Sequence, residues 1–224
     1  AEWLAGWIAL RFLKEHAEAR THFKSMHAAV EYPISRARAA YWAGRAAEAQ
    51  KSETASEVSI TWYRKAAAHP LTYHGQLAFG RLKPNASLTL PASEFDEISK
   101  ETAQEFFENE LVGVVEILHD VGQHELMWPF IRKLYSITDD PVWRALTGHL
   151  ARVNGRADLA VRVAKRADRD GMALLDLGYP TLEPPALPKT AKSRAPEVPL
   201  TLAVIRQESA FRIDAKSYAK ARGL

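Results

Sequence analysis

Apolar side chains recur at helical intervals from residue 3 to about residue 30. Trp3, Leu4, Trp7, Ile8, Leu10, Phe12 and Leu13 make one dense face. His16 to Glu18 interrupt it, and Ala19, Phe23, Met26 and Val30 resume it at spacings of three and four. The pattern predicts two helices, the second stopped by Pro33. A similar unit follows: Ala40 to Ala47 begins it, Trp62 to Ala67 ends it, and the polar stretch Lys51 to Glu57 is the loop between. Gly6 and Gly44 are 38 residues apart, and Phe23 and Trp62 are 39 apart. A small residue on one helix facing an aromatic on the next lets a helix pair pack closely. A repeat of about 30–45 residues is the mark of stacked helical hairpins. Leu71 to Leu82 predicts a further short helix ended by Pro84-Asn85. The stretch from Lys83 to about Pro91, rich in Pro, Asn, Ser and Thr, predicts a domain boundary.

Beyond it the pairs resume. Phe106, Phe107, Leu111, Val114, Val115 and Leu118 form one stripe, Val121-Gly122-Gln123 a turn, and Leu126, Phe130, Ile131 and Leu134 the returning stripe. Val142, Leu146, Leu150 and Val153 repeat the pattern, turn at Asn154-Gly155-Arg156, and return through Leu159, Val163 and Ala167. Gly122 and Gly155 are 33 apart, again the spacing of stacked hairpins. No strand alternation runs beyond a few residues, so the predicted class is all-α. From Asp170 to Pro199 the character changes. Six prolines between Pro180 and Pro199 forbid a continuous helix and predict an extended connector.

Composition narrows the chemistry. Apolar residues make up 47% of the 224, enough for a sizeable core. The formal charge of +3 is mildly basic, but no concentrated basic stripe points to nucleic acid. The absence of cysteine excludes disulfides, thiolate zinc sites and cysteine nucleophiles. No run approaches the roughly 18 apolar residues of a membrane span. Ala1-Glu2-Trp3 reads as a mature or trimmed start, with no signal peptide in view. The histidine pairs His22/His27, His69/His74 and His119/His124 are each five apart, whereas two ligands on one helix face need three or four. No metal and no cofactor are therefore expected. The tryptophans fall on apolar stripes and read as core. Arg162, Lys165, Arg166 and Arg169 read as a solvated face.

One stretch is different. Leu202 to Ile205 is an apolar run that delivers Glu208, four residues after Val204 and three after Ile205. Glu208 thus shares their face. Held against apolar surface, a carboxyl is pushed toward its neutral form, the state from which it can donate a proton. Ordinary glycosidases use a pair of carboxylates. Asp214, six residues on and past the end of the helix, is not placed opposite Glu208 by its spacing. The sequence therefore supports one acid, not two.

Ile205-Arg206-Gln207-Glu208-Ser209-Ala210-Phe211, followed by Asp214-Ala215-Lys216-Ser217 and Ala221-Arg222-Gly223-Leu224, resembles the soluble lytic murein transglycosylases. The segment Tyr73 to Leu82 and the helical run before the motif are also similar to that family's superhelical region. The resemblance implies that Glu208 is a single acid/base. It protonates the glycosidic oxygen between N-acetylmuramic acid and N-acetylglucosamine. It then assists attack by the muramoyl 6-hydroxyl, giving a 1,6-anhydro end without water. It also implies that Ser217 lines the substrate site and that Ser209 supports the acid. The sequence departs from the family at Ile213 and Tyr218, where members often carry Pro, and at Lys220, where they carry Gly.

The expected architecture is an all-α superhelical array of helical hairpins, a solenoid like tetratricopeptide repeats, followed by the first part of a lysozyme-like domain. Residues 1–83 are its superhelical repeats, 84–170 helical linker-domain repeats, 171–199 the Pro-rich connector and 200–224 the start of the catalytic domain. The expected substrate is the glycan strand of peptidoglycan and the expected compartment the periplasm, in association with the outer membrane. Protein partners are expected on the helical superstructure. Residues 1–224 alone are expected to have negligible activity, the remaining substrate cleft lying beyond Leu224. The rival reading is a non-enzymatic helical-repeat scaffold that binds a protein partner or a glycan strand.

Overall fold

A computed structural model describes residues 1–90, 99–183 and 196–222. Among these residues the chain is all-α, with twelve α-helices and no strand. It divides into two compact units, residues 1–91 and 92–224.

The first unit holds α1 (Glu2–Ile8), a π-helical turn (Ala9–Leu13), α2 (His16–Ala29), α3 (Pro33–Ala49), α4 (Ala55–Ala67) and α5 (Tyr73–Leu82). Lys14, left-handed at φ 62°, ends the π turn. Pro33 does not merely stop α2, which ends at Ala29. It opens α3 at the first helical position, where its fixed φ fits and its missing N–H costs nothing. The Thr72 hydroxyl caps α5 by accepting the Gly75 N–H at 3.1 Å.

Alanine explains the position of α3. Ala37, Ala39, Ala40, Ala43, Ala46 and Ala47 are all fully buried. They point in several directions around the helix, so α3 is covered by neighbours rather than lying on the surface. It packs against α2, α4 and α5. A Cβ built on Gly6 would lie 2.9 Å from the Phe23 ring, and one on Gly44 would lie 2.8 Å from the Tyr63 ring. The aromatic that meets Gly44 is therefore Tyr63, not Trp62. Trp62 turns to His27, 5.4 Å away edge-to-face, with the Lys65 ammonium 4.3 Å from its ring centroid.

The second unit holds α6 (Lys100–Phe107), α7 (Glu110–Asp120), a 3-10 turn (His124–Leu126), α8 (Trp128–Tyr135), α9 (Pro141–Val153), α10 (Ala157–Arg169), α11 (Leu175–Gly178) and α12 (Val198–Glu208). The stripe read as one helix over residues 106–118 is two. Asn109 breaks it, and its side-chain oxygen accepts the Leu111 N–H at 3.0 Å to start α7. Gly122 and Gly155, at φ +71° and +76°, make the two predicted turns. The core runs through Phe106, Val115, Ile131, Leu134, Leu150 and Leu159. The Trp143 indole is buried there and donates to the Leu134 carbonyl at 2.9 Å.

Two expectations need correction. The extended connector does not begin at 171. Leu174 and Leu177, around α11, are buried in the core, and Leu177 fills the space above Gly148. The first proline of that region is Pro180, so nothing hinders a helical turn before it. Residues 184–195 of the connector lie outside the described residues. The basic face of α10 is also not simply solvated. Arg162 lies 5.3 Å from the Trp128 ring centroid, Arg166 4.8 Å from that of Tyr135, and Lys165 is half-buried.

Candidate functional site

The candidate site begins with α12. Pro199 occupies its first turn, where proline is tolerated. No residue of α12 is buried, although Leu202 and Ile205 are half-covered. What docks the helix is Arg206. Its Nε donates to the Gly178 carbonyl at 2.5 Å, and its guanidinium lies 4.1 Å from the Tyr179 ring centroid. Lys165 Nζ donates to the Arg206 carbonyl at 3.3 Å. Burial, then the Arg206 and Arg162 charges, lowers the proton affinity of that lysine. Nothing in the motif spacing marked Arg206 as the dock.

Glu208 is the last residue of α12 and is exposed. Val204, on its face, is 53% exposed. The apolar shelter that the spacing predicted for this carboxyl is therefore not formed among the described residues. Helical spacing places side chains on one face but does not cover that face.

The chain reverses sharply after the acid. Ser209 ends the helix, with its N–H 3.0 Å and its hydroxyl 3.3 Å from the Ile205 carbonyl. Ser209 thus bonds the backbone one turn back. Ala210 and Phe211 are both left-handed, at φ 51° and 66°. Each such residue costs about 1–3 kcal/mol. Burial of the Phe211 ring, worth about 1.5–3 kcal/mol, offsets part of this strain.

Asp214 is committed elsewhere than to Glu208. Arg212 grips it with both forks, Nε to Oδ1 and Nη2 to Oδ2, each at 2.8 Å. That pairing holds its carboxyl down to about 2, so it is an anion throughout the ordinary pH range. Ser217 lies further on in a small exposed loop. Its N–H donates to the Ala221 carbonyl at 2.8 Å and its Oγ accepts the Ala221 N–H at 3.0 Å. Lys216 and Arg222 pair across this loop as an antiparallel bridge.

Two clefts meet at Phe211 and Leu182. One, of about 610 Å³, is mostly apolar and lies between Tyr179, Val198, Leu202 and Arg206. The other, of about 460 Å³, mixes charged and apolar lining and lies between His124, Asp158, Arg212 and Asp214. Arg156 braces the second cleft: it holds Asp158 at 2.7 and 2.8 Å and donates to the His124 carbonyl. Neither cleft is lined by Glu208, Ser209 or Ser217. The three predicted site residues lie on one continuous segment, apart from the lining of these two clefts. Among the described residues no cluster of His, Asp and Glu could hold a metal ion. His119 and His124 pack edge-to-face at 5.0 Å, and His119 bonds the Asn154 carbonyl at 3.2 Å.

Comparison of the chain with protein-family models, with curated proteins and with solved structures finds no match. No helix among the described residues is long and apolar enough to cross a membrane.

Proposed function

We propose that this chain carries the opening of a lysozyme-like lytic transglycosylase domain on a helical scaffold, with Glu208 as its single acid/base. The observation that carries the reading is the order of features after α12. An apolar helix ends on a free carboxylate, a serine follows, and a tight Ser217-centred loop comes next. The loop adds an independent point. Lys220 is left-handed at φ 64°, a conformation glycine adopts most cheaply, and the resembled family carries glycine there.

In the proposed reaction Glu208 gives its proton to the glycosidic oxygen as the bond from muramoyl C1 breaks. The muramoyl 6-hydroxyl then bonds to C1 and its proton passes to the Glu208 carboxylate. Atoms balance without water, and the acid ends as it began. No second protein carboxylate is needed, in keeping with the commitment of Asp214 to Arg212. Turnover requires the exposed Glu208 face of α12 to be covered, because a general acid works in a dry site. Ser217 and Ser209 are proposed to meet substrate in that closed state. The substrate would place the protein in the periplasm.

The scaffold is proposed to be a solenoid of helical hairpins. Its support is the repeated glycine-on-aromatic contact, Gly6 on Phe23 and Gly44 on Tyr63.

Residues 1–224 by themselves are proposed to have negligible activity, so the test is mass spectrometry of murein digested by a protein that carries the complete catalytic domain and by its Glu208→Gln variant. The expected result is 1,6-anhydro ends from the native protein and none from the variant. Reducing ends formed by water, or equal activity in the variant, would sink the assignment.

A further inference from the structure

The apolar cleft beside α12 has no part in the proposed reaction, since Glu208, Ser209 and Ser217 all lie off its lining. Its volume of about 610 Å³ falls within the range of small-molecule sites, which are mostly apolar with a few polar groups. Phe211 is the buried part of the lining, whereas Tyr179, Leu182 and Val198 line it while still about half-exposed. Helix α12 adds Leu202 and Ala203. No residue of α12 is buried, so apolar surface on both sides of the cleft is left wet.

One cation enters this lining. Arg206 commits its Nε to the Gly178 carbonyl and sets its guanidinium over Tyr179. Its two terminal nitrogens have no acceptor among the described residues and are not closed to solvent. No carboxylate among those residues pairs with it. The one anionic side chain on the lining is Glu183, which is exposed.

We propose that this cleft binds a single-chain alkyl carboxylate, a fatty-acid-like monoanion. Its chain lies against Leu182, Val198, Leu202 and Phe211, and its carboxylate accepts from the terminal nitrogens of Arg206. A carboxylate is acceptor-only and matches a guanidinium fork. Methylenes need no hydrogen-bond partner, so they suit a lining with few polar groups. A peptide would bring backbone N–H and C=O groups that need partners once buried. Glu183 repels further negative charge, which favours one charge over a phosphate dianion. The proposal does not rest on the transglycosylase reading, because none of the residues assigned to that reaction lines the cleft.

The experiment titrates the isotope-labelled full chain with hexanoate, octanoate, decanoate, decanol and decylammonium, each below its micelle-forming concentration, and follows methyl resonances by NMR. Decanoate is expected to move the Leu182, Val198, Leu202 and Ala203 signals in a saturable way and to leave Val112 and Leu134 of the core in place. Each added methylene is expected to tighten binding about three- to four-fold. Decanol and decylammonium are expected to bind about ten-fold or more weakly than decanoate, having no carboxylate for Arg206. Ala203 is exposed, so Ala203→Trp fills the cleft without touching the Arg206 bond to Gly178, and it is expected to weaken decanoate about ten-fold or more. Glu183→Gln is expected to tighten decanoate about two-fold. The ligand series keeps the test whole if a variant does not fold. The proposal is overturned by the absence of a saturable shift, by affinity independent of chain length, by equal or tighter binding of decanol or decylammonium, by native affinity in Ala203→Trp, or by weaker binding in Glu183→Gln.

Discussion

Gly44 lies so close to Tyr63 that a Cβ would sit 2.8 Å from two atoms of the ring. The Tyr63 hydroxyl is fixed as well, donating to Glu48 at 2.9 Å while Glu48 accepts from Arg81. The ring therefore cannot swing away without breaking that network. Gly44→Ala is expected to destabilise the first unit by about 1–3 kcal/mol. Gly80 and Gly113, with nothing within 4 Å of an added Cβ, are the controls. Alanine at either is expected to stabilise by about 0.5–1 kcal/mol through helix propensity alone. Urea unfolding followed by circular dichroism separates the two signs. Equal effects at Gly44 and Gly80 would remove the packing argument.

The same contact shows how far the sequence could be read. The repeated small-on-aromatic pairing was visible in spacing, but its partner at the second site was off by one residue. Trp62 and Tyr63 are both large and adjacent, so periodicity could not choose between their faces. The all-α class and the turns at Gly122 and Gly155 were legible because each rests on local chemistry. The break at Asn109 was masked by apolar residues on both sides of it. The packing of Leu174 and Leu177 was hidden by the prolines that follow. The helix carrying Glu208 was legible, but the exposure of its face was not, since that depends on what else packs there.

Lys220 sits at φ 64° in an exposed loop, a conformation that disfavours a side chain by about 1–2 kcal/mol. Lys220→Gly is expected to tighten the Ser217 loop by about 1 kcal/mol. The readout is hydrogen exchange at the Ser217 amide, which is bonded to the Ala221 carbonyl. Slower exchange in the glycine variant and faster exchange in Lys220→Val are expected. Unchanged rates in both would mean that the loop is not limited by this residue.

The Arg212 clasp lowers Asp214 from an ordinary 3.8 to about 2, chiefly through its hydrogen bonds. A carboxyl depressed in the folded state adds stability above its unfolded value and loses it as pH falls through the folded one. The contribution is thus whole above about pH 4 and fades toward pH 2. Since the pair is exposed, its effect on stability is small and screened by salt. The sharper readout is the carboxyl carbon of Asp214 followed by NMR. Arg212→Gln is expected to return its midpoint toward 3.8. A midpoint that stays near 2 would mean that something other than Arg212 holds the charge.

Arg206 is the main polar tie between α12 and the rest of the second unit. It combines a charged hydrogen bond to the Gly178 carbonyl, about 1.5–3 kcal/mol by itself, with stacking on Tyr179, about 0.5–1 kcal/mol. With no residue of α12 buried, little apolar packing competes with that tie. Arg206→Ala is expected to loosen α12 by about 2 kcal/mol, seen as roughly thirty-fold faster amide exchange along the helix. Arg206→Lys retains charge and some stacking but cannot reproduce the Nε geometry, so it is expected to recover only part of the protection. Exchange in α9 and α10 should be unaffected, because their contacts lie in the core through Leu146, Leu150 and Val163. If α12 keeps native protection in Arg206→Ala, the anchor is Phe211 instead. The strained turn after Glu208, rather than the arginine, then sets where the acid is held.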